Sequence, residues 1–200
     1  MSPIIFLNVS AASDNKLTIT LHKPGSVEKL FFFTSGIITS IPLTVFIEQF
    51  SQNLLAMVPA YYATAISVVL FAPFIEEFAK AFPLLYRHGE TERSIFTLAL
   101  LVGLGFGITE FLLYVLTLGA PIPLRLPGLF FHVASTSITA YGIATKRPLR
   151  FYLIAVALHL SNNFFAILGD LWIAGGSATV VVAYLLSWQF FKRTSERMVS

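Results

Sequence analysis

Glu76 and Glu77 stand side by side in the octapeptide PFIEEFAK (residues 73–80), and Lys80 follows within one helical turn. Glu110 in GITEF, His132 in FHVAS, and His159 with Asn163 in ALHLSNNF are the other residues whose types suit them for chemistry. A glutamate paired with an imidazole can hold a water molecule and deprotonate it. A His or Asn donor can stabilise the oxyanion that forms when a peptide carbonyl is attacked. Lys80 lies at i+4 from Glu76 and at i+3 from Glu77, so it can keep a neighbouring carboxylate ionised. The same residues also suit a metal. Glu110, His132 and His159 would supply three protein ligands and leave one position for water, the usual form of a hydrolytic zinc site. The helical zinc signature HExxH is absent.

Each of these residues has an ordinary structural role to set against the chemical one. EExxK is a common salt-bridged helix pattern, and a lone histidine can simply bond a carbonyl across two helices. What tips the balance is the setting, because PFIEEFAK sits between VVLFA and the apolar AFPLLY. Insertion scales put a charge at the centre of a membrane span at roughly 2.5–3.5 kcal/mol, so such groups face protein or a water-filled cavity and have partners. Glu48 and Asp170 fall at span ends and read as structural, and Tyr114, Trp172 and Trp188 read as packing or interfacial aromatics.

The elements that must position these groups are long apolar helices. The 200 residues are 56% hydrophobic and 12% charged, with 20 phenylalanines, more apolar surface than a water-soluble domain of this size can cover. The mean hydropathy is +0.79. The absence of cysteine excludes disulfides, thiolate catalysis and Cys-ligated metals. The composition predicts an all-α integral membrane protein, and six apolar runs give six spans, at about 30–50, 55–86, 94–118, 126–145, 150–169 and 171–191. With both termini cytoplasmic, 12 of the 13 Lys and Arg residues fall on the inner side and Arg125 alone on the outer, as the positive-inside rule requires. Residues 1–29 form a short extramembrane segment in which alternating Leu17, Ile19 and Leu21 suggest a hairpin turned at Asp14-Asn15. The membrane domain is 30–191, and 192–200 is a basic cytoplasmic tail. No signal peptide is read at the N-terminus.

Counted at ~1.5 Å per residue from the inner basic residues, Glu76, Glu110, His132 and His159 all fall between the midplane and the outer leaflet. They can therefore meet at one level. Pro73 lies a turn before Glu76 and removes a backbone hydrogen bond, which can open the helix there. Gly103, Gly107 and Glu110 share a stripe, and a small-xxx-small pair lets a neighbouring backbone approach. His132, Thr136 and Thr139 form a polar stripe with Ser135 beside it, and His159 and Asn163 are i and i+4.

The order and spacing of these motifs, EExxK, GLGFGITEFLLY, FHVASTSITAYG and ALHLSNNF, resemble the PrsW family of intramembrane proteases over residues ~55–170. That family belongs to a superfamily with the CAAX prenyl endopeptidases and the bacteriocin-processing and immunity proteases. Phe111 stands where the family usually places Asn after the third-helix Glu. The resemblance implies an intramembrane endopeptidase of the prokaryotic cell membrane, acting on a membrane-anchored single-span protein in regulated, anti-sigma-factor-type proteolysis. Its partners would be that substrate and membrane lipid, with no nucleic acid. By analogy with the CAAX branch, it implies that Glu76 and His132 activate water and that His159 and Asn163 form the oxyanion hole. Glu77, held by Lys80, would support them. It leaves open a glutamate mechanism without cofactor and a metalloprotease with one divalent metal such as zinc. The surplus of carboxylates favours the former.

Two readings compete with a peptidase. Buried Glu and His also build proton relays in transporters, although the repeated halves and matched broken helices of that class are not visible here. A non-catalytic scaffold or immunity protein would use the same cluster to lock helices together.

Overall fold

The computed structural model describes residues 23–86, 91–169 and 171–199, and among these residues there is helix and no strand. The expected N-terminal hairpin lies outside them. Helix α1 spans Ser26–Leu54, α2 Ala60–Ile66, α3 Ala72–Leu85, α4 Glu92–Thr117, α5 Ile122–Ala144, α6 Pro148–Ala166 and α7 Leu171–Arg193. Three of these, α1, α4 and α7, are each long and apolar enough to cross a membrane. The chain is a helical membrane protein.

The second apolar run is not one uniform helix. Between α2 and α3 the residues Ser67–Phe71 make a π-helical turn, in which the Ala72 amide bonds the Ser67 carbonyl five residues back. The next carbonyl in that pattern is Val68, and the amide it would need belongs to Pro73, which has no N–H. The side-chain amide of Asn163 on α6 donates to the Val68 carbonyl instead, at 2.9 Å. The turn is also tied to α1, where the Ser67 hydroxyl donates to Ser51 at 2.7 Å. A π-turn persists where neighbouring elements satisfy the backbone groups it releases.

Helix α3 is amphipathic in the sense opposite to a helix in water. Pro73, Glu76, Glu77, Lys80 and Leu84 are buried. Phe74, Phe78 and Phe82, at i, i+4 and i+8, are exposed on the other side. A charged inner face and a phenylalanine outer face satisfy the hydrocarbon and protein surroundings together.

Helix α5 is central and packs against α3, α4, α6 and α7, while α1 covers α4 and α3. The α4–α5 approach depends on Gly103: a Cβ there would meet the His132 carbonyl at 2.6 Å and the Val133 Cα at 2.8 Å. Gly107 is similarly tight against Leu129. This is the close contact expected of the glycine pair, and it carries Glu110 towards α5. Two apolar clusters lie on one side of the polar level, towards the start of α4 and the end of α5. Phe32, Leu84, Ile95, Leu98, Val102 and Ile143 form one, and Phe96, Ile138, Phe151 and Phe190 another.

The stretch read as a basic tail packs back onto the start of α4. Glu92 and Arg93 amides donate to the carbonyls of Arg197 and Ser195, both at 3.0 Å. The Glu92 carboxylate accepts from the Ser195 amide and hydroxyl and pairs with Arg197 at 3.2 Å. Arg93 lies over the Phe191 ring, 4.0 Å from its centre. The first amides of α4, which have no intrahelical partner, thus find partners in the C-terminal segment.

Candidate active site

Glu76, Glu77 and Lys80 project from the second and third turns of α3 into the space between α5 and α6, and Glu77 and Lys80 are wholly buried. Lys80 Nζ lies 2.6 Å from Glu77 Oε1, 3.0 Å from His132 Nδ1 and 3.2 Å from Ser135 Oγ. The Ser135 hydroxyl in turn donates to Glu77 Oε1 at 3.1 Å. His159 Nδ1 approaches the same carboxylate oxygen at 2.8 Å. Glu77 Oε1 is therefore the point where α3, α5 and α6 meet. A buried ion pair holds only with this kind of additional hydrogen bonding, because desolvation of both charges must be offset.

Around this hub lie the groups that remain open. His132 Nε2 is in hydrogen-bond contact with Glu110 Oε2, which joins α4 to α5. His159 Nε2 lies 3.8 Å from Glu76 Oε2, and that carboxylate oxygen is buried without a hydrogen-bond partner. The two imidazole rings are 5.3 Å apart centre to centre. Phe106 packs on His132 at 5.0 Å and Phe131 on His159 at 5.2 Å. These two rings exclude lipid and fix the imidazole planes. Six sequence-selected residues, Glu76, Glu77, Lys80, Glu110, His132 and His159, thus come together. Asn163 does not bond to the cluster among the described contacts, since its amide lies on the Val68 carbonyl.

Ser135, Phe106 and Phe131 complete the site and were given no role from sequence. Ser135 had a readable signal, since it lies one turn after His132. The two phenylalanines had none, being two among 20. Thr136 bonds the His132 carbonyl at 2.7 Å and so serves its own helix, and the Thr139 hydroxyl is buried without a partner.

Glu76, His132 and His159 each present one ligand atom, and these atoms lie within 4.8 Å of one another, so the group could hold a metal ion. Two of the three fit well. The open oxygen of Glu76 is a free ligand, and His159 shows a nitrogen to the centre while its other nitrogen rests on a carboxylate, as metal-bound histidines do. His132 fits less well, because its Nδ1 faces the Lys80 ammonium rather than an acceptor.

A helical membrane protein with carboxylates and imidazoles gathered at a buried point has a form that intramembrane hydrolases can take. The profile of the PrsW family intramembrane metalloproteases matches residues 28–190, and the chain belongs to that family. It is an intramembrane peptidase. Comparison with curated proteins and with solved structures gave no match.

Proposed function

We propose that the protein hydrolyses a peptide bond of a membrane-anchored, single-span protein, with water activated at the Glu76–His132–His159 centre. The observation that carries this reading is the approach of three potential ligand or base atoms to within 4.8 Å, on residues no more than 7% exposed and drawn from α3, α5 and α6. Glu76 Oε2, unpartnered and buried, is where a water would be held and its proton accepted. The water oxygen bonds to the carbonyl carbon, and the carbonyl electron pair moves to oxygen and is stabilised by an imidazole N–H. The C–N bond then breaks and the amine leaves with the proton taken from water, giving a new carboxyl end and a new amino end. Glu77 and Lys80 touch no substrate in this scheme and hold the two imidazoles. Were a divalent metal bound by Glu76 and His159, it would polarise the carbonyl and lower the pKa of the attacking water.

The six apolar runs, each matched by a helical segment, support six crossings with both termini on the cytoplasmic side of a prokaryotic cell membrane. Regulated cleavage of an anti-sigma-factor-type protein is the role that the motif resemblance implies. The test is cleavage of a single-span substrate in lipid vesicles, run in heavy-oxygen water. The reading expects one heavy oxygen in the new carboxyl end and loss of product in His132→Ala. Unchanged cleavage in that variant would remove the centre from the reaction.

A further inference from the structure

The three protons of an ammonium and the acceptors around Lys80 match one for one. Lysine is a donor only, with three N–H bonds and no lone pair. Its neighbours are Glu77 Oε1 at 2.6 Å, His132 Nδ1 at 3.0 Å and Ser135 Oγ at 3.2 Å. The Glu77 carboxylate at 2.6 Å supplies the counter-charge that a buried ammonium needs, and each of the three ammonium protons then has a partner. His132 Nδ1 is then an acceptor and carries no hydrogen. A neutral imidazole bears one N–H, so it is on Nε2, where it donates to Glu110 Oε2. His159 is the mirror case. Its Nδ1 carries the hydrogen and donates to Glu77 Oε1 at 2.8 Å, which leaves a lone pair on Nε2 towards Glu76. The Ser135 hydroxyl accepts from Lys80 and donates to Glu77 Oε1, while Glu77 Oε2 is buried without a hydrogen-bond partner.

We propose that Lys80 is a positioning residue that locks His132 as the Nε2–H tautomer, so that His132 serves the reaction as hydrogen-bond donor and His159 as acceptor. This rests on the peptidase reading of the site and divides its labour: water is held between Glu76 and His159, and the oxyanion takes the place of Glu110 Oε2 as acceptor of the His132 Nε2–H. It reverses the histidine roles implied by the CAAX analogy. It also sets His132 apart from Glu76 and His159 as a metal ligand. To ligate through Nε2 it would have to give up the hydrogen that Lys80 forces onto that nitrogen.

The test is nitrogen NMR of the full chain labelled at histidine in lipid nanodiscs, where bare and protonated ring nitrogens resonate far apart. Only four histidines are present, so His132→Gln and His159→Gln assign the signals. The proposal expects a bare Nδ1 and protonated Nε2 on His132 and the reverse on His159. Lys80→Met combined with Glu77→Gln removes both charges at once. It should abolish the fixed tautomer of His132, and a cooperative unfolding transition of the same variant in mixed detergent would show that the fold survives. Zinc added to the wild type should perturb His159 and leave the His132 N–H in place. A hydrogen on His132 Nδ1 in the wild type, or its loss from Nε2 on zinc addition, would overturn the proposal. The spectra need no substrate, so they separate the two claims. The predicted tautomers in a chain that cleaves nothing would sink the peptidase reading alone, and cleavage with His132 protonated at Nδ1 would sink this inference alone.

Discussion

Lys80 has no route to solvent, and its charge is matched by one carboxylate oxygen shared with His159 and Ser135. Removing one member of such a pair leaves an uncompensated buried charge, which costs about 3–5 kcal/mol. Lys80→Met and Glu77→Gln should each destabilise the protein by about that amount, and the double substitution by clearly less than their sum. Equilibrium unfolding in mixed detergent measures all three. Ser135→Ala removes one acceptor from Lys80 and should cost about 1–3 kcal/mol by the same measurement. Sequence alone allowed Lys80 to pair with either glutamate, since i+3 and i+4 are both within reach. The choice of Glu77 is made by His159 and Ser135, which lie 82 and 58 residues away from it and meet at the same oxygen. That non-local decision frees Glu76 for the open side of the site, and no local pattern encodes it.

At the scale of elements, two features set the geometry. The first is the π-turn, whose orphaned Val68 carbonyl is served by Asn163 because Pro73 cannot serve it. Asn163→Ala should destabilise by about 1–3 kcal/mol in the native background, the cost of an unsatisfied, partly buried carbonyl. In a Pro73→Ala background the new amide can take over, and the effect of Asn163→Ala should fall well below that. A double-mutant cycle by unfolding reads this coupling. The second feature is the α4–α5 contact at Gly103. A valine there would press on the backbone of His132 and Val133, push the helices apart and separate Glu110 from His132. Cleavage should fall by about 10²-fold, since misplacement of this order costs that much. The opening at Pro73 and the close approach at Gly103 were both legible from residue type. The destination of Asn163 was not. Its spacing of four from His159 placed both on one face, but one helical turn separates the cluster from the carbonyl it reaches.

For the whole molecule, the inverted amphipathicity of α3 and the apolar outer surface agree with a chain that lives in lipid. Phe74, Phe78 and Phe82 stand outward beside inward Glu76, Glu77 and Lys80. The positions of the helices were readable because each needs an uninterrupted apolar run, and the runs at 94–118 and 150–169 reappear as Glu92–Thr117 and Pro148–Ala166. The packing of Thr194–Met198 onto α4 was not readable, since a short polar tail carries no periodicity to mark a docking site. A cysteine-free chain makes topology simple to measure. In spheroplasts, a Leu149→Cys variant should resist an impermeant maleimide and an Ala120→Cys variant should react. The reverse result would invert the proposed orientation.

All of this converges on Glu76, whose open carboxylate oxygen faces His159 at 3.8 Å inside a shell of protein. The most direct measurement is single-turnover cleavage of a single-span substrate in vesicles by the wild type and by Glu76→Gln, with unfolding of both followed in parallel. Loss of the base that holds water should slow cleavage by about 10²–10⁴-fold while the unfolding transition stays near that of the wild type. Cleavage by a folded Glu76→Gln at the wild-type rate would contradict the account, and the cluster would then be only the fastening between four helices.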